Sequence, residues 1–226
     1  MRYSNSINLE TEVKLGPHRI PQVTDTKFLG VYLDDRLKWN IHIAHVAKKI
    51  SKICGILYAV RNKLTDVSIR MIYFALIYSQ IIYCIPLWGN AYSCHLRPIV
   101  LAQKRAVRTM TYSARYEHTL PIFNRLNLLK FDLLYKYFSS LLIHKFMHQN
   151  YVQSIFSRRQ NQYHGRNSNN VAQFRTNLTL CIKCVFYSAP SIWNSLDRSL
   201  KQIVNVNTFK LHMKAHLFQE QSLLNH

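Results

Sequence analysis

Tyr32-Leu33-Asp34-Asp35 is the stretch with the most chemical promise. Two adjacent carboxylates at a tight hairpin, joined by a third on a neighbouring strand, can hold two Mg2+ ions for an in-line displacement. The flanks argue against it. A strand should continue after such a pair, whereas Arg36-Leu37-Lys38-Trp39 is charged and then turns helical in pattern. Only Glu10, Glu12 and Asp25 precede it as acidic residues, too little chain to build the missing strands. The pair therefore reads as a turn between strand and helix, and no catalytic residue is assigned. Cys181-x-x-Cys184 and His144-x-x-x-His148 have spacings that zinc accepts. Positions three apart on a strand face opposite ways, however, and both histidines fall on an apolar helix stripe, so no metal site is assigned. G-x-S-x-G, Walker, G-x-G-x-x-G and H-E-x-x-H motifs are all missing. That excludes the acyl-transfer and nucleotide-hydrolysing sites these motifs build.

The elements that position these residues follow from periodicity. Phe28 to Leu33 alternates as a strand, with Gly30 in its middle, where a missing side chain marks a close approach. Leu9 to Leu15 alternates too, Gly16-Pro17 turns the chain, and His18 to Thr24 is an edge piece containing Pro21. These predict a small antiparallel sheet. From Ile43 the apolar positions Val46, Ile50, Ile53, Leu57, Val60 and Leu64 form one helical stripe. His45, Lys48, Lys49 and Lys52 take its outer side.

Thr65-Asp66 caps a second helix. Met71 to Trp88 then runs without a charge, near the lower limit of the roughly 17–25 residues of a membrane span. Ser79, Gln80, several tyrosines and Pro86 favour a buried bundle helix instead. A third helix is expected from Leu96 to Ser113, with Arg97, Lys104 and Arg108 on one face and Val100, Val107 and Met110 toward a core. Thr119 caps a short helix with Pro121 in its first turn, and Asp132 to His148 forms another. Ser157 to Asn177 is rich in Arg, Asn, Gln and Ser and reads as a mobile basic linker. Leu178 to Tyr187 alternates as a strand, Pro190 to Leu196 enters a helical turn, and Asn207 or Thr208 caps a last helix.

Composition sets the partner class. The 226 residues are 48% hydrophobic, enough for a core, yet carry 30 Lys and Arg against 10 Asp and Glu, a net charge of +20. Asp66 is the lone acidic residue between Arg36 and Arg115. Such an excess favours a polyanion, because each neutralised phosphate releases counterions. An anionic lipid surface is the competing partner. Five cysteines, an odd number, with no N-terminal signal peptide, point to a reducing compartment, nuclear or cytoplasmic.

Phe28-Leu29-Gly30-Val31, Asp34, Leu37, Trp39 and His42 resemble the segment after the catalytic palm of non-LTR (LINE-like, jockey-type) retrotransposon reverse transcriptases. Gln103-Lys104-Arg105-Ala106-Val107-Arg108, His118-Thr119 with Pro121-Ile122-Phe123, Ile192-Trp193-Asn194-Ser195-Leu196 and the Phe209-Lys210 helix continue the likeness in family order. His164-Gly165-Arg166 is shorter than the family's segment, and Asp197 stands where it has proline. The resemblance implies that Phe28, Leu29 and Gly30 form the primer grip. It implies that Lys48, Lys49, Lys52, Lys104, Arg105 and Arg108 contact phosphates of a template–primer duplex of RNA and DNA. The palm is expected upstream in the same polyprotein, so this chain has no cofactor of its own; Mg2+ belongs to the palm.

The fold class expected is mainly α with a small antiparallel β-sheet at the N-terminus. The end of the palm and primer-grip sheet spans 1–36, a helical thumb-like bundle 37–150, the basic linker 151–177, and a small mixed C-terminal region 178–226. Two other readings stay open: a basic membrane-associated protein anchored by Met71 to Trp88, and a non-functional remnant of a mobile element.

Overall fold

The computed structural model describes residues 13–149, 156 and 170–223. It is mainly helical, with its strands confined to the N-terminal end. The strands form two separate hairpins instead of one sheet: β1 (Val13–Leu15) with β2 (His18–Ile20), and β3 (Asp25–Phe28) with β4 (Val31–Asp34). The expected strand from Phe28 to Leu33 is in fact a hairpin. Phe28 pairs with Val31, leaving Leu29 and Gly30 as a two-residue loop with φ of 46° and 82°. Positive φ at both loop positions is the type I′ turn, whose twist matches that of the flanking strands. Gly30 thus serves the turn's backbone and is not a gap in mid-strand. The expected start of β1 at Leu9 lies outside the described residues.

Helix α1 (Asn40–Val60) buries Ile43, Val46, Ile50 and Leu57 and leaves Ile53 and Val60 half-buried, while Leu64 falls beyond a 3-10 turn at Arg61–Lys63. Thr65 caps α2 (Asp66–Ile72), its hydroxyl accepting from the Ser68 N–H at 3.3 Å.

The uncharged run from Met71 to Trp88 is not one helix. It passes through a π turn (Tyr73–Tyr78) and α3 (Ser79–Ile82), breaks at Tyr83 and left-handed Cys84, and resumes as α4 (Ile85–Trp88). Ile69, Tyr73, Ile77, Ile81 and Ile85 are all buried at a spacing of four. A 3.6-residue helix drifts off such a row, and the wider π turn restores it. Met71, Leu76 and Leu87 are exposed, so the segment is half-buried and not enclosed on all sides as expected. Among the described residues no helix is long and apolar enough to cross a membrane, which removes the span proposed for this stretch. Gly89 closes α4: a Cβ there would stand 2.6 Å from the Tyr135 ring and 2.7 Å from the Ile85 carbonyl.

Helix α5 (Ser93–Met110) lies beside α1 and runs parallel to it. The Cys54 thiol faces the Ala102 carbonyl and Arg61 donates to the Thr109 carbonyl, the same offset along both helices. Beyond α6 (Thr119–Arg125), α7 (Phe131–Gln149) packs against the C-terminal elements. The C-terminal elements are α8 (Thr179–Lys183), α9 (Val185–Ser195), α10 (Arg198–Lys201) and α11 (Val206–Leu223), of which α9 and α11 carry the packing on α7. The strand expected over Leu178 to Tyr187 is helical, because Val185, Ala189 and Trp193, four apart, all bury on one face. The last helix is capped by Asn205, two residues earlier than expected, its carboxamide oxygen accepting from the N–H groups of Asn207 and Thr208.

A single apolar cluster runs from Ile43 through Tyr73, Trp88, Ile99, Phe123 and Leu133 to Trp193, Phe209 and Met213. Most of the expected linker, with His164-Gly165-Arg166, lies outside the described residues. Its end does not hang loose: Val171 is buried and joins the core.

Candidate nucleic-acid interface

Asp34 and Asp35 part company. Asp34 is 8% exposed, and its carboxylate accepts the N–H groups of Lys38 and Trp39, each at 2.8 Å, fastening the turn into α1. Asp35 lies exposed beside Arg36 at 3.9 Å. Asp34 builds the turn, and the two carboxylates are not set out together as a two-metal site.

The hairpin tip carries Phe28 and Leu29 outward, Leu29 at 74% exposure. Tyr83, at the break after α3, donates its hydroxyl to the Leu29 carbonyl, so the tip is docked on the bundle. At the base of β4, the Tyr32 N–H reaches His42 Nδ1 at 3.5 Å. His42 is buried with its ring edge-on to Trp88, and burial, with His45 adding to it, pushes its pKa down to about 4.

The cations take the opposite side of α1. Ile50, Cys54 and Leu57 face the core, and Lys48, Lys49 and Lys52 are exposed on the far face. On α5 the sequence run divides by periodicity. Gln103 is buried and donates to the Tyr73 hydroxyl at 3.3 Å and to the Leu129 carbonyl at 3.0 Å. Arg97 and Lys104 border a cleft of about 770 Å³ between α5, α7 and α9, floored by Val100, Phe131 and Tyr135. Arg105 and Arg108 face a second groove of about 700 Å³, shared with the C-terminal end of α1.

That second groove contains residues the sequence reading did not pick out. Arg61 stacks between Tyr58, 4.3 Å from its ring centre, and Tyr112, 4.5 Å away. The Tyr112 hydroxyl returns a bond to the Arg61 carbonyl at 2.8 Å. Arg108 spreads its guanidinium over the Glu117 carbonyl, at 3.0 and 2.7 Å, and so fixes the turn that presents Arg115 and Tyr116. The signal was the short spacing of Tyr58 to Arg61 and the adjacency of Arg115 and Tyr116, arginine interleaved with tyrosine. Only the parallel packing of α1 and α5 brings the two together.

His144 and His148 do not meet Cys181 and Cys184 as a ligand set. Their Nε2 atoms face the carbonyls of Ile203 at 2.7 Å and Lys201 at 3.3 Å, and His144 stacks on Phe209 at 4.2 Å. Cys181 and Cys184 lie at the α8–α9 junction, with Cys184 opening α9. Among the described residues no three His, Cys, Asp or Glu side chains gather as a metal site requires. Trp193 is buried, and the Asn194 carboxamide holds both backbone groups of Val171.

No family model, curated protein or solved structure matches this chain. What the structure shows is outward cations on two packed helices, Lys48, Lys49 and Lys52 on α1 and Arg105 on α5.

Proposed function

We propose that this chain is the primer-grip, thumb and C-terminal portion of a LINE-like reverse transcriptase and binds template–primer nucleic acid through its phosphates. The observation that carries the reading is how the motif residues and the basic positions of α1 sort. His42, Gln103, Trp193 and Asn194 turn inward and hold the fold, while Lys48, Lys49, Lys52 and Arg105 turn outward. A solvated face alone explains scattered lysines. It does not explain so strong an excess of one sign, whose self-repulsion a polyanion relieves.

In this reading Phe28, Leu29 and Gly30 form the exposed tip that supports the primer end. Lys48, Lys49, Lys52, Lys104 and Arg105 meet phosphates, and Arg108 both anchors its turn and adds charge. The partners are RNA and DNA and the upstream palm of the same polyprotein, in the nucleus or cytoplasm. Nucleotidyl transfer and its Mg2+ belong to that palm. The test is the dependence of duplex affinity on salt, in wild type and after removal of the α1 lysines. Phosphate contacts give a linear fall of log affinity with log salt and little base preference.

A further inference from the structure

We infer that the groove at the paired C-terminal ends of α1 and α5 binds unpaired nucleic acid, stacking bases on tyrosine and seating phosphates on arginine. The inference rests on the nucleic-acid reading above and deepens it: Arg105 and Arg108, counted there as phosphate contacts, belong to a groove whose tyrosines add a different chemistry. Arg61, Arg105, Arg108 and Arg115 converge on this groove with Tyr58 and Tyr116, and among the described residues no carboxylate lines it. Its volume of about 700 Å³ falls within the roughly 300–1,000 Å³ of ligand sites.

The groove has a fixed frame and a presented face. Arg61 is held between two tyrosine rings and bonded to the Thr109 carbonyl at 3.3 Å. Arg108 holds the 113–118 turn through the Glu117 carbonyl, and the Glu117 carboxylate accepts the Ala114 N–H at 3.2 Å within that turn. Tyr116 stands 89% exposed at the tip, with the Arg115 guanidinium 5.8 Å from its ring centre.

A duplex offers phosphates and grooves but keeps its base faces stacked inside. Exposed rings amid arginines match a strand whose bases are open, where each stacked base is sequence-tolerant and cation–π contacts add to it. The arginines also compensate the negative ends of two parallel helix dipoles. That role needs charge at the helix ends but no exposed tyrosine, so Tyr116 is the discriminating residue.

The test compares the full chain and its Tyr116→Ala and Tyr116→Phe variants by fluorescence anisotropy. The probes are a uridine decamer, a thymidine decamer, an abasic decamer and a blunt duplex of mixed sequence. Tyr116→Ala is expected to weaken both single-stranded decamers by about 5- to 150-fold, the alanine effect of one stacked base. Tyr116→Phe should retain wild-type affinity, and the abasic and duplex probes should not respond. Equal losses on all probes, or no loss on the decamers, would overturn the inference. If Tyr116→Ala is silent while replacing Lys48, Lys49 and Lys52 lowers the salt dependence of duplex binding, the groove fails and the wider reading stands. If neither variant changes binding, both fail.

Discussion

The side chain of Asn194 clasps the backbone of Val171, accepting its N–H at 2.9 Å and donating to its carbonyl at 3.0 Å. The Asn194 carbonyl in turn accepts from buried Lys201 at 2.8 Å, and that ammonium also reaches Asn170 at 3.1 Å. Asn194→Ala leaves two polar groups of a buried residue without this partner, at about 1–3 kcal/mol for each unsatisfied group. The urea midpoint should fall clearly, and Asn194→Asp, which loses the donor half, should fall too. A midpoint equal to wild type for both would place the role of Asn194 outside folding.

Asp34 and Asp35 should respond unequally to removal of their charge. Asp34→Ala loses two hydrogen bonds to a carboxylate and is expected to destabilise by roughly 2–4 kcal/mol, whereas exposed Asp35→Asn should stay within about 0.5 kcal/mol. Neither residue should matter for nucleotide addition: the chain with template–primer, deoxynucleotides and Mg2+ should give no extension product. Extension abolished by Asp35→Asn would restore the two-metal reading of Tyr32-Leu33-Asp34-Asp35.

The Leu29-Gly30 loop has leucine at a left-handed position that asparagine occupies more readily. Leu29→Asn should therefore raise stability, by up to about 1 kcal/mol, whereas Gly30→Val, at φ 82°, should lower it by roughly 1–2 kcal/mol. Thermal melts check both signs. If the tip supports a primer, Leu29→Asn will also disturb primer placement while leaving duplex affinity close to wild type.

His42 gives the fold a dependence on pH. Its folded pKa, about 4, lies below the ordinary 6.5, so between those values the unfolded chain binds more protons. Stability from this group is complete above about pH 6.5 and is lost as pH falls toward 4. The full loss is roughly 3 kcal/mol, from 1.36 kcal/mol per pKa unit. Burial lowers His144 as well, in the same direction. Urea midpoints across pH 4–7 should decline with acid, and His42→Phe should flatten part of that slope. An unchanged slope would show that His42 is not held neutral.

Charge, the α1 stripe and the caps near Thr65 were legible because they depend only on local spacing. The hairpin at Leu29-Gly30 was hidden, since Phe28 to Leu33 alternates unbroken through a loop whose first residue is leucine. Leu178 to Tyr187 misled for a related reason: a short apolar run fits strand and helix alike, and burial on α7 decided it. The Arg61–Tyr116 groove left only fragments in one dimension, the Tyr58–Arg61 spacing and the Arg115-Tyr116 pair, with nothing to join them. It exists because α1 and α5 run parallel, a property of packing that neither helix encodes alone.

Whether the α1 face meets phosphate is decided by the salt dependence of duplex binding in the variant with Lys48, Lys49 and Lys52 replaced by glutamine. Each phosphate neutralised on duplex DNA contributes about 0.9 to the slope of log affinity against log salt. Three exposed lysines lost from one helix face should lower that slope by up to about 2.7, with equal losses of affinity on unrelated sequences. A slope identical to wild type would show that the α1 lysines meet no phosphate. It would do so decisively if replacing Arg158, Arg159, Arg166 and Arg175 lowered the slope instead, because the interface would then lie on that segment and not on α1.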